Sequence, residues 1–333
     1  MPQVQKARGV YETREVHEEK ADLASPKDPS STEDSTTHVF TGHTAVFLSA
    51  SGGVGLSALC SLTALQLKVQ GTRTALVDGD FTSGGLDTLL GLENDKGLRF
   101  GTLNAPLGKI DGEVLCKRLP HWEGMPVLAF DSWNSETPEW WEVEAVLTAL
   151  ERSADVVLVD GSRGQIVDMV PALGRAPVVV VAELSVLGLA RAKALLNKVA
   201  SGRIGSTGGR DDGPPHDFAD SLESSKRPLP QSLGGGLALQ ECEVQSLESR
   251  KTSQLAAIVG IEPRGASRRR GVVSVNEASE YLGHQVLGPV CPNSARTSDA
   301  LEGLGLKIAK ADRTVMGELA QAVSDAVEGD GRH

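Results

Sequence analysis

A series of short, valine-rich apolar runs, separated by longer stretches of helical periodicity, restricts the fold more than any other feature of the chain. The runs are T-A-V-F-L-S-A (44–50), R-T-A-L-V-D-G (73–79), M-P-V-L-A-F (125–130), D-V-V-L-V-D (155–160), P-V-V-V-V-A (177–182), L-A-A-I-V-G-I (255–261) and Q-V-L-G-P-V (285–290). Runs without polar–apolar alternation are typical of strands buried on both faces, and helical crossovers between them give a parallel sheet. The sequence therefore predicts an α/β fold, a doubly wound and mainly parallel sheet with helices on both faces.

Two segments fall outside this pattern. Residues 1–40 are polar and charged without hydrophobic periodicity, so we expect a disordered tail. Residues 201–253 are rich in Gly, Ser, Pro and charged residues and are interpreted as an insertion or linker within one domain spanning 41–328. The last predicted helix, 313–327, should pack on the sheet through one apolar face. That face is formed by Val315, Leu319, Ala322 and Val323.

The composition excludes several classes of protein. The formal net charge of −11 argues against a general nucleic-acid binder, since phosphate affinity depends on Lys and Arg. The four cysteines are widely spaced and indicate neither a zinc site nor a disulfide framework. No stretch has the pattern of a signal peptide or a membrane span, and the C-terminal V-E-G-D-G-R-H lacks the basic, apolar face of an interfacial anchor. We expect a cytoplasmic protein without a direct membrane anchor.

The first apolar run is followed by a glycine loop, S-G-G-V-G-L-S (51–57), that opens a helix. Glycines in such a loop allow backbone N–H groups to converge on phosphate oxygens, and the helix N-terminus adds partial positive charge. The usual P-loop pattern is G-x-x-x-x-G-K-[ST]; Ala50 stands at its first Gly and Leu56 at its Lys, while Gly55 and Ser57 match. The predicted nucleotide-binding residues are Gly52, Gly53, Val54, Gly55, Leu56, Ser57 and Ala58. The alternative is a tight strand-to-helix turn that serves packing alone.

Acidic residues follow two of the other runs. L-V-D-G-D places Asp78 and Asp80 at the C-terminal end of one strand, and V-V-L-V-D-G-S-R-G places Asp160 at the end of another. Ligands of open α/β sheets bind at this edge. The predicted apolar run ends at Gly79, so at least one of the two carboxylates belongs to the following loop. The alternative role for Asp78 and Asp160 is capping of loops at strand ends.

Arg163 lies in the loop after Asp160. Its guanidinium could approach a bound phosphate in place of the missing lysine, and the alternative is an ordinary solvated arginine. The hypothesis makes Arg163 a further nucleotide-binding residue.

Aromatic and basic clusters suggest partner contacts. All four tryptophans lie between 122 and 141, and the neighbours Trp140 and Trp141 cannot both face inward from one helical turn. One of them is a candidate partner anchor, and packing of helix on sheet is the favoured alternative. The run Ser267-Arg268-Arg269-Arg270 could touch DNA phosphates or an acidic membrane, although three loop arginines are more often simply solvated.

Taken together, these stretches resemble the MinD/ParA family of deviant P-loop ATPases. The family loop K-G-G-x-G-K-[ST] is matched by residues 51–57, with both lysines replaced by Ser51 and Leu56. Two stretches are similar to the CpaE/TadZ-like branch, whose members are often named septum-site-determining protein. They are L-V-D-G-D-F-T-S-G-G-L-D-T-L-L-G-L-E-N-D-K-G-L-R-F and G-K-I-D-G-E-V-L-C-K-R-L-P. The resemblance covers about residues 43–200 and, more weakly, 255–327. Members of that branch often carry a receiver-like domain, whose place is taken here by the polar tail.

The resemblance implies particular roles for the site residues. ATP or ADP with Mg²⁺ is the implied cofactor, Ser57 a Mg²⁺ ligand, Asp78 and Asp160 metal-side carboxylates, and Asp80 the catalytic residue that orients the attacking water. Because Leu56 lacks the ammonium group of the usual lysine, hydrolysis is expected to be weak or absent. A lysine about 3 Å from a phosphate oxygen supplies several kcal/mol at an effective dielectric constant of about 20.

The resemblance also implies a biological role. It is that of a regulator of septum-site selection and cell division, or of the placement of pilus or secretion machinery, acting through protein partners. We also expect a nucleotide-dependent homodimer and recruitment to the membrane or septum through a partner. Nucleic acid is not an expected partner. Two alternatives stay open: an active ATPase that uses a substitute cation from Arg163 or a second subunit, and a nucleotide-free scaffold protein.

Overall fold

The computed structural model describes residues 21–22, 42–104, 110–132, 136–202, 255–264, 271–291 and 306–330. The predicted tail and the predicted 201–253 insertion lie almost entirely outside the described residues, as do Trp133 and the run Ser267–Arg270.

An eight-stranded sheet forms the centre of the molecule, and the seven strands predicted from the sequence are all present in it. In chain order the strands are β1 (Ala21–Asp22), β2 (Thr44–Ser49), β3 (Thr74–Asp78), β4 (Leu103–Asn104), β5 (His121–Trp122), β6 (Met125–Leu128), β7 (Val156–Asp160), β8 (Val178–Glu183), β9 (Leu255–Ile261) and β10 (Val286–Val290). The order across the sheet is β10-β9-β8-β2-β7-β3-β6-β5, and a separate parallel pair joins β1 to β4.

All pairings in the main sheet are parallel except the one between β5 and β6. The sequence analysis did not foresee β5, a two-residue edge strand that folds back through a tight turn in which Glu123 has a φ of 49°. The central strands β2, β3 and β7 are buried along their whole length, as their unbroken apolar sequences predicted.

Helices cover both faces of the sheet. They are α1 (Leu56–Val69), α2 (Leu86–Leu90), α3 (Gly112–Arg118), α4 (Trp140–Ser153), α5 (Gln165–Met169), α6 (Val186–Ala200), α7 (Val275–Leu282) and α8 (Arg313–Asp330). Helices α3, α4, α6 and α7 contribute to the apolar core on one face, and α1, α2 and α8 to the core on the other. The doubly wound sandwich is therefore the observed fold.

Helix α8 packs through three of the four residues of its predicted apolar face, while Ala322 is only half-buried. Leu319 and Val323 are fully buried, and Val315 packs partly buried against the same core. The helix runs three residues beyond its predicted end at Val327.

The parallel topology decides where the functional residues meet. Since β2, β3, β6, β7, β8 and β9 all run in one direction, the loops that leave their C-terminal ends emerge at one edge of the sheet. The glycine loop after β2, the aspartate loop after β3 and the Arg163 loop after β7 are therefore neighbours in space.

Helices α3 and α4 approach closely at Gly112, the first residue of α3. A Cβ atom there would overlap the Ala149 carbonyl oxygen and the Ser153 hydroxyl of α4. We expect Gly112→Ala to lower the free energy of unfolding by about 1–3 kcal/mol, because the two helices must separate. Chemical denaturation measures this change.

Gly317 provides the matched control. It lies in α8, and no neighbouring atom lies within 4 Å of the position that a Cβ atom would occupy there. Gly317→Ala should therefore raise the free energy of unfolding by up to about 1 kcal/mol through helix propensity. Equal effects of the two substitutions would contradict the packing argument.

Candidate nucleotide site at the sheet edge

A cavity of about 600 Å³ opens at the C-terminal ends of β2, β3 and β7. Its wall includes every residue of the predicted phosphate loop from Gly52 to Ala58, together with Asp80, Asp160 and Arg163. The structure thus brings together residues that are more than 100 positions apart in the sequence. A cavity of this size suits a small-molecule ligand.

The glycine loop presents unpaired main-chain donors to this cavity. Gly55 is the N-cap of α1 with a φ of 94°, a left-handed conformation that glycine adopts without strain. The first hydrogen bond of the helix runs from the Leu59 N–H to the Gly55 carbonyl at 2.9 Å. The amides of Leu56, Ser57 and Ala58 precede it and have no acceptor within the helix. An uncapped helix start of this kind favours an anion.

The Arg163 side chain lies against the glycine loop. Its Nη2 atom is 3.0 Å from the position that a Cβ atom on Gly52 would occupy. The Ser49 N–H donates to the Ser162 carbonyl at 2.9 Å, which ties the Arg163 loop to the end of β2. Ser162 itself has a φ of 48°, so the chain turns sharply just before the arginine. The structure therefore puts a cation beside the glycine loop, which contains no lysine of its own.

Asp160 and Ser57 both line the cavity. The Ser57 hydroxyl hydrogen-bonds to the Asp160 carboxylate, which also accepts the Ser162 N–H at 3.2 Å. Burial raises the pKa of Asp160 above its usual range, and the Ser57 and Ser162 hydrogen bonds oppose that rise. A hydroxyl and a carboxylate in contact are hard oxygen donors of the kind that Mg²⁺ prefers.

Asp78 lies beneath the cavity, where it is 1% exposed. Its two carboxylate oxygens accept the Asp80 N–H at 3.1 Å and the Leu86 N–H at 3.2 Å, so it fixes the loop that follows β3. Burial, and then the charge of Asp160, raise the pKa of Asp78 to about 7. Asp78 thus has the geometry of a loop anchor, the alternative that the sequence left open.

Asp80 lies in the loop that follows β3, because that strand ends at Asp78. Its Oδ1 atom accepts the amides of Thr82 and Ser83 at 3.1 and 2.9 Å, and the residue lines the cavity. It therefore reaches the ligand space that Asp78 does not.

Sequence reasoning missed Arg264, a second cation in the cavity wall. It follows β9 at the same edge as the other loops, and that position was the one signal that could have revealed it. With Asp80 and Asp160 as the acids and Arg163 and Arg264 as the bases, the charges of the cavity wall balance. Among the described residues, no group of three or more His, Cys, Asp and Glu side chains is arranged to hold a metal ion by itself.

The tryptophan prediction was wrong in its favoured form. Trp140 and Trp141 are 51% and 46% exposed, so neither is packed between helix and sheet. Trp122, in contrast, is buried in the core. Both exposed rings lie in the first turn of α4, before the apolar face of that helix begins at Val143.

The protein combines a parallel sheet with a glycine loop between a central strand, β2, and the helix that follows it, α1. This combination identifies its architecture. It is the α/β fold of P-loop NTPases of the MinD/ParA kind, and comparison with solved structures agrees. A ParA family ATPase from Chlorobium tepidum superimposes with a TM-score of 0.53 at 16% identity, over 86% of this chain and 99% of that one.

Two further structures have the same arrangement. The MinC:MinD cell division protein complex of Aquifex aeolicus gives a TM-score of 0.50 at 17% identity, over 86% of this chain and 95% of that one. An ATP complex of a McdA variant from Cyanothece gives 0.51 at 12% identity, over 86% and 96%. Identities this low establish a shared fold. No model of a known protein family matches the chain, and no curated protein does.

Within the described ranges, no helix combines the length and the apolar character needed to cross a bilayer.

The raised pKa of Asp78 predicts a pH-dependent stability. In the native state this carboxyl binds its proton up to about pH 7, whereas in the unfolded chain it releases the proton near pH 4. Between these values the native state holds more protons, so the free energy of unfolding should fall as the pH rises from about 4 to 7, by up to about 4 kcal/mol. Urea denaturation at several pH values measures the slope.

Asp78→Asn should flatten this slope, leaving the smaller contribution of Asp160, and should lose part of the Asp80 and Leu86 hydrogen bonding at every pH. Asp155→Asn is the control, because the Arg73 guanidinium lowers the pKa of Asp155 and any effect belongs below about pH 4. An unchanged slope in Asp78→Asn would refute the assignment.

Proposed function

We propose that the chain is a MinD/ParA-type regulator that binds ATP or ADP in the sheet-edge cavity and acts through protein partners. The observation that carries this proposal is the position of Arg163. Its guanidinium lies beside Gly52 of the glycine loop, which contains no lysine, and both residues line the cavity. The amides of Leu56, Ser57 and Ala58 with the Arg163 guanidinium form a set of donors suited to phosphate oxygens.

The proposed Mg²⁺ ligand is Ser57, with Asp160 on the metal side. Both residues line the cavity, and the Ser57 hydroxyl is close enough to the Asp160 carboxylate to lower its pKa. Mg²⁺ is commonly held by one or two protein ligands together with phosphate oxygens and water, so this small donor set fits the ion. Asp78 supports the site from below by fixing the Asp80 loop.

We expect turnover to be slow. Leu56 occupies the position of the usual lysine and is only 9% exposed, so it contributes an apolar contact and no charge to a γ-phosphate. Arg163 lies in the loop after β7 and supplies positive charge for binding. Its guanidinium approaches the phosphates from a different direction than a lysine at position 56 would. The nucleotide then acts mainly as a ligand that stabilises one state of the protein.

The proposed biological role is that of the CpaE/TadZ-like branch. In this role the protein takes part in septum-site selection and cell division, or in placing pilus or secretion machinery. It forms a nucleotide-dependent homodimer and reaches the membrane or septum through a partner. Support comes from the sequence motifs after β3 and around α3, and from the shared fold of the MinC:MinD cell division complex.

Substitution of Arg163 tests the binding site directly. Arg163→Ala should weaken ATP binding about 10- to 100-fold, because a charge-assisted hydrogen bond to phosphate is lost. Isothermal titration calorimetry with Mg²⁺-ATP measures the dissociation constant. Arg191→Ala, at an exposed position of α6 away from the cavity, is the matched control and should bind as the parent does.

A second substitution tests whether the cation is what matters. Leu56→Lys restores the usual charge of the loop, so it should recover most of the affinity lost in Arg163→Ala when the two changes are combined. Equal ATP affinity in the parent and in Arg163→Ala would remove Arg163 from the site.

The active-ATPase alternative is favoured by one observation, the presence of Asp80 in the cavity wall with Arg163 and Arg264 nearby. If the protein hydrolyses ATP, phosphate release should disappear in Asp80→Ala while nucleotide binding persists. Thermal-shift titration distinguishes a nucleotide-binding regulator or an active ATPase from a nucleotide-free scaffold. A ligand that binds only the folded state raises the melting temperature. No shift at millimolar Mg²⁺-ATP would favour the scaffold.

A further inference from the structure

A short piece of the N-terminal tail is bound to the folded domain. Ala21 and Asp22 form β1, which pairs in parallel with β4, so that Ala21 lies opposite Leu103 and Asp22 opposite Asn104. This pair is separate from the eight-stranded sheet. Backbone pairing of this kind lets an extended segment bind to a strand edge without a large side-chain interface. The edge of β4 is therefore a docking surface, and the tail strand β1 is its occupant.

The segment that ends in β4 is itself fixed to the main sheet. The Phe100 N–H donates to the Ala129 carbonyl at 3.1 Å, just beyond β6. The Thr102 hydroxyl accepts the Arg99 N–H and donates to the Arg99 carbonyl, both at 3.0 Å, which closes a tight turn. We define the coupling segment as residues 99–104. Because its turn is closed by these bonds, a displacement of β4 also displaces the start of the segment.

The coupling segment contacts the start of the Asp80 loop through aromatic rings. Phe81 follows Asp80 directly, and its ring packs edge to face on Phe100 with centroids 5.1 Å apart. It packs in the same way on Phe130, at 5.4 Å. Both Phe81 and Phe100 are buried. Since edge-to-face pairs have a preferred geometry, the position of Phe100 restricts the position of Phe81 and of the loop that contains it.

The same segment also contacts the far end of the loop. Arg99 Nε lies 3.6 Å from Oδ2 of Asp87, in the first turn of α2, and the two side chains are only 12% and 14% exposed. The Arg99 Nη2 atom also donates to the Leu92 carbonyl at 2.7 Å. An ion pair this far removed from water is only weakly screened. Between the two contacts lie residues 82–85, which form part of the cavity wall. The coupling segment thus holds both ends of one wall of the cavity.

We propose that docking of the tail strand β1 on β4 is coupled to nucleotide binding in the sheet-edge cavity. The docked tail fixes the coupling segment, which orders the Asp80 loop, so less conformational freedom is lost when the ligand binds. Linkage requires the reverse effect to be equally large, so a bound nucleotide strengthens the docking of the tail. The coupling rests on the proposed function, because it takes a nucleotide as the ligand of the cavity.

Limited tryptic digestion of the full chain tests the coupling from the side of the tail. Trypsin cleaves after Lys20, directly before β1, and a strand paired with β4 cannot extend into the protease. Cleavage between Lys20 and Ala21 should slow at least about 3-fold in saturating Mg²⁺-ATP, because its rate follows the undocked fraction. Cleavage between Arg8 and Gly9 is the internal control in the same tail and should keep its rate.

Proline substitution tests the coupling from the side of the nucleotide. Ala21→Pro combined with Asp22→Pro removes the N–H groups of β1, so the tail strand cannot pair. Hydrogen-exchange mass spectrometry should then show faster exchange at Leu103–Asn104. The dissociation constant for Mg²⁺-ATP, measured by calorimetry, should rise about 3- to 10-fold. Ser31→Pro, further along the same tail and outside the described residues, is the matched control and should leave both quantities unchanged.

Substitution of Phe100 tests the path between the two sites. Phe100→Leu keeps an apolar side chain but removes the ring contact with Phe81, so Mg²⁺-ATP should no longer slow cleavage after Lys20. Combined with the two proline substitutions, it should raise the dissociation constant no further than either change alone, because both interrupt one path. Circular dichroism should match the parent in every variant. Additive effects on the dissociation constant would contradict the path.

The contrary outcomes separate this coupling from the proposed function. If the parent binds Mg²⁺-ATP, and neither the proline substitutions nor the nucleotide changes the other site, the proposed function stands and the coupling is wrong. If hydrogen exchange at Leu103–Asn104 is unchanged in the proline variant, the tail is not docked there in solution and the coupling is wrong for that reason. If the parent shows no calorimetric binding of Mg²⁺-ATP, the proposed function fails and the coupling fails with it.

Discussion

The structure depends on the burial of parallel, valine-rich strands on both faces. A strand buried in this way can pair only with other strands, and its parallel neighbours can be reached only through crossovers over the sheet. Strands β2, β7 and β3 satisfy this constraint with side chains that are almost wholly removed from water. The direction shared by these strands brings the glycine loop, the Asp80 loop and the Arg163 loop to one edge.

At that edge, main-chain geometry and side-chain chemistry have separate roles. The left-handed Gly55 and the open first turn of α1 leave main-chain amides at the cavity, in a loop that contains no lysine. Charge comes instead from Arg163, which the turn after β7 directs towards Gly52. Asp78 is buried and accepts two amides, so it acts on the site through the loop that it fixes. Main-chain amides of one loop and a guanidinium from another can therefore line the same cavity.

The surroundings of the cavity suggest how a ligand could be linked to assembly. The exposed rings of Trp140 and Trp141 and the exposed Val186 and Leu187 lie on the same edge as the phosphate loop. A partner that covers this edge would also cover the cavity. Nucleotide and partner would then favour or oppose each other through one surface, which is the physical basis of a ligand-controlled regulator.

The sequence by itself determined the seven main strands, the doubly wound class and the start of α1 at the glycine loop. Apolar runs and glycine spacing are local signals, and local signals suffice for local structure. Only the tertiary structure decided that Arg163 reaches Gly52, that Arg264 joins the cavity, and that Trp140 and Trp141 face water. These facts depend on contacts between loops and helix ends that are distant in the sequence and close at the sheet edge. The periodicity of each segment carries no information about such contacts.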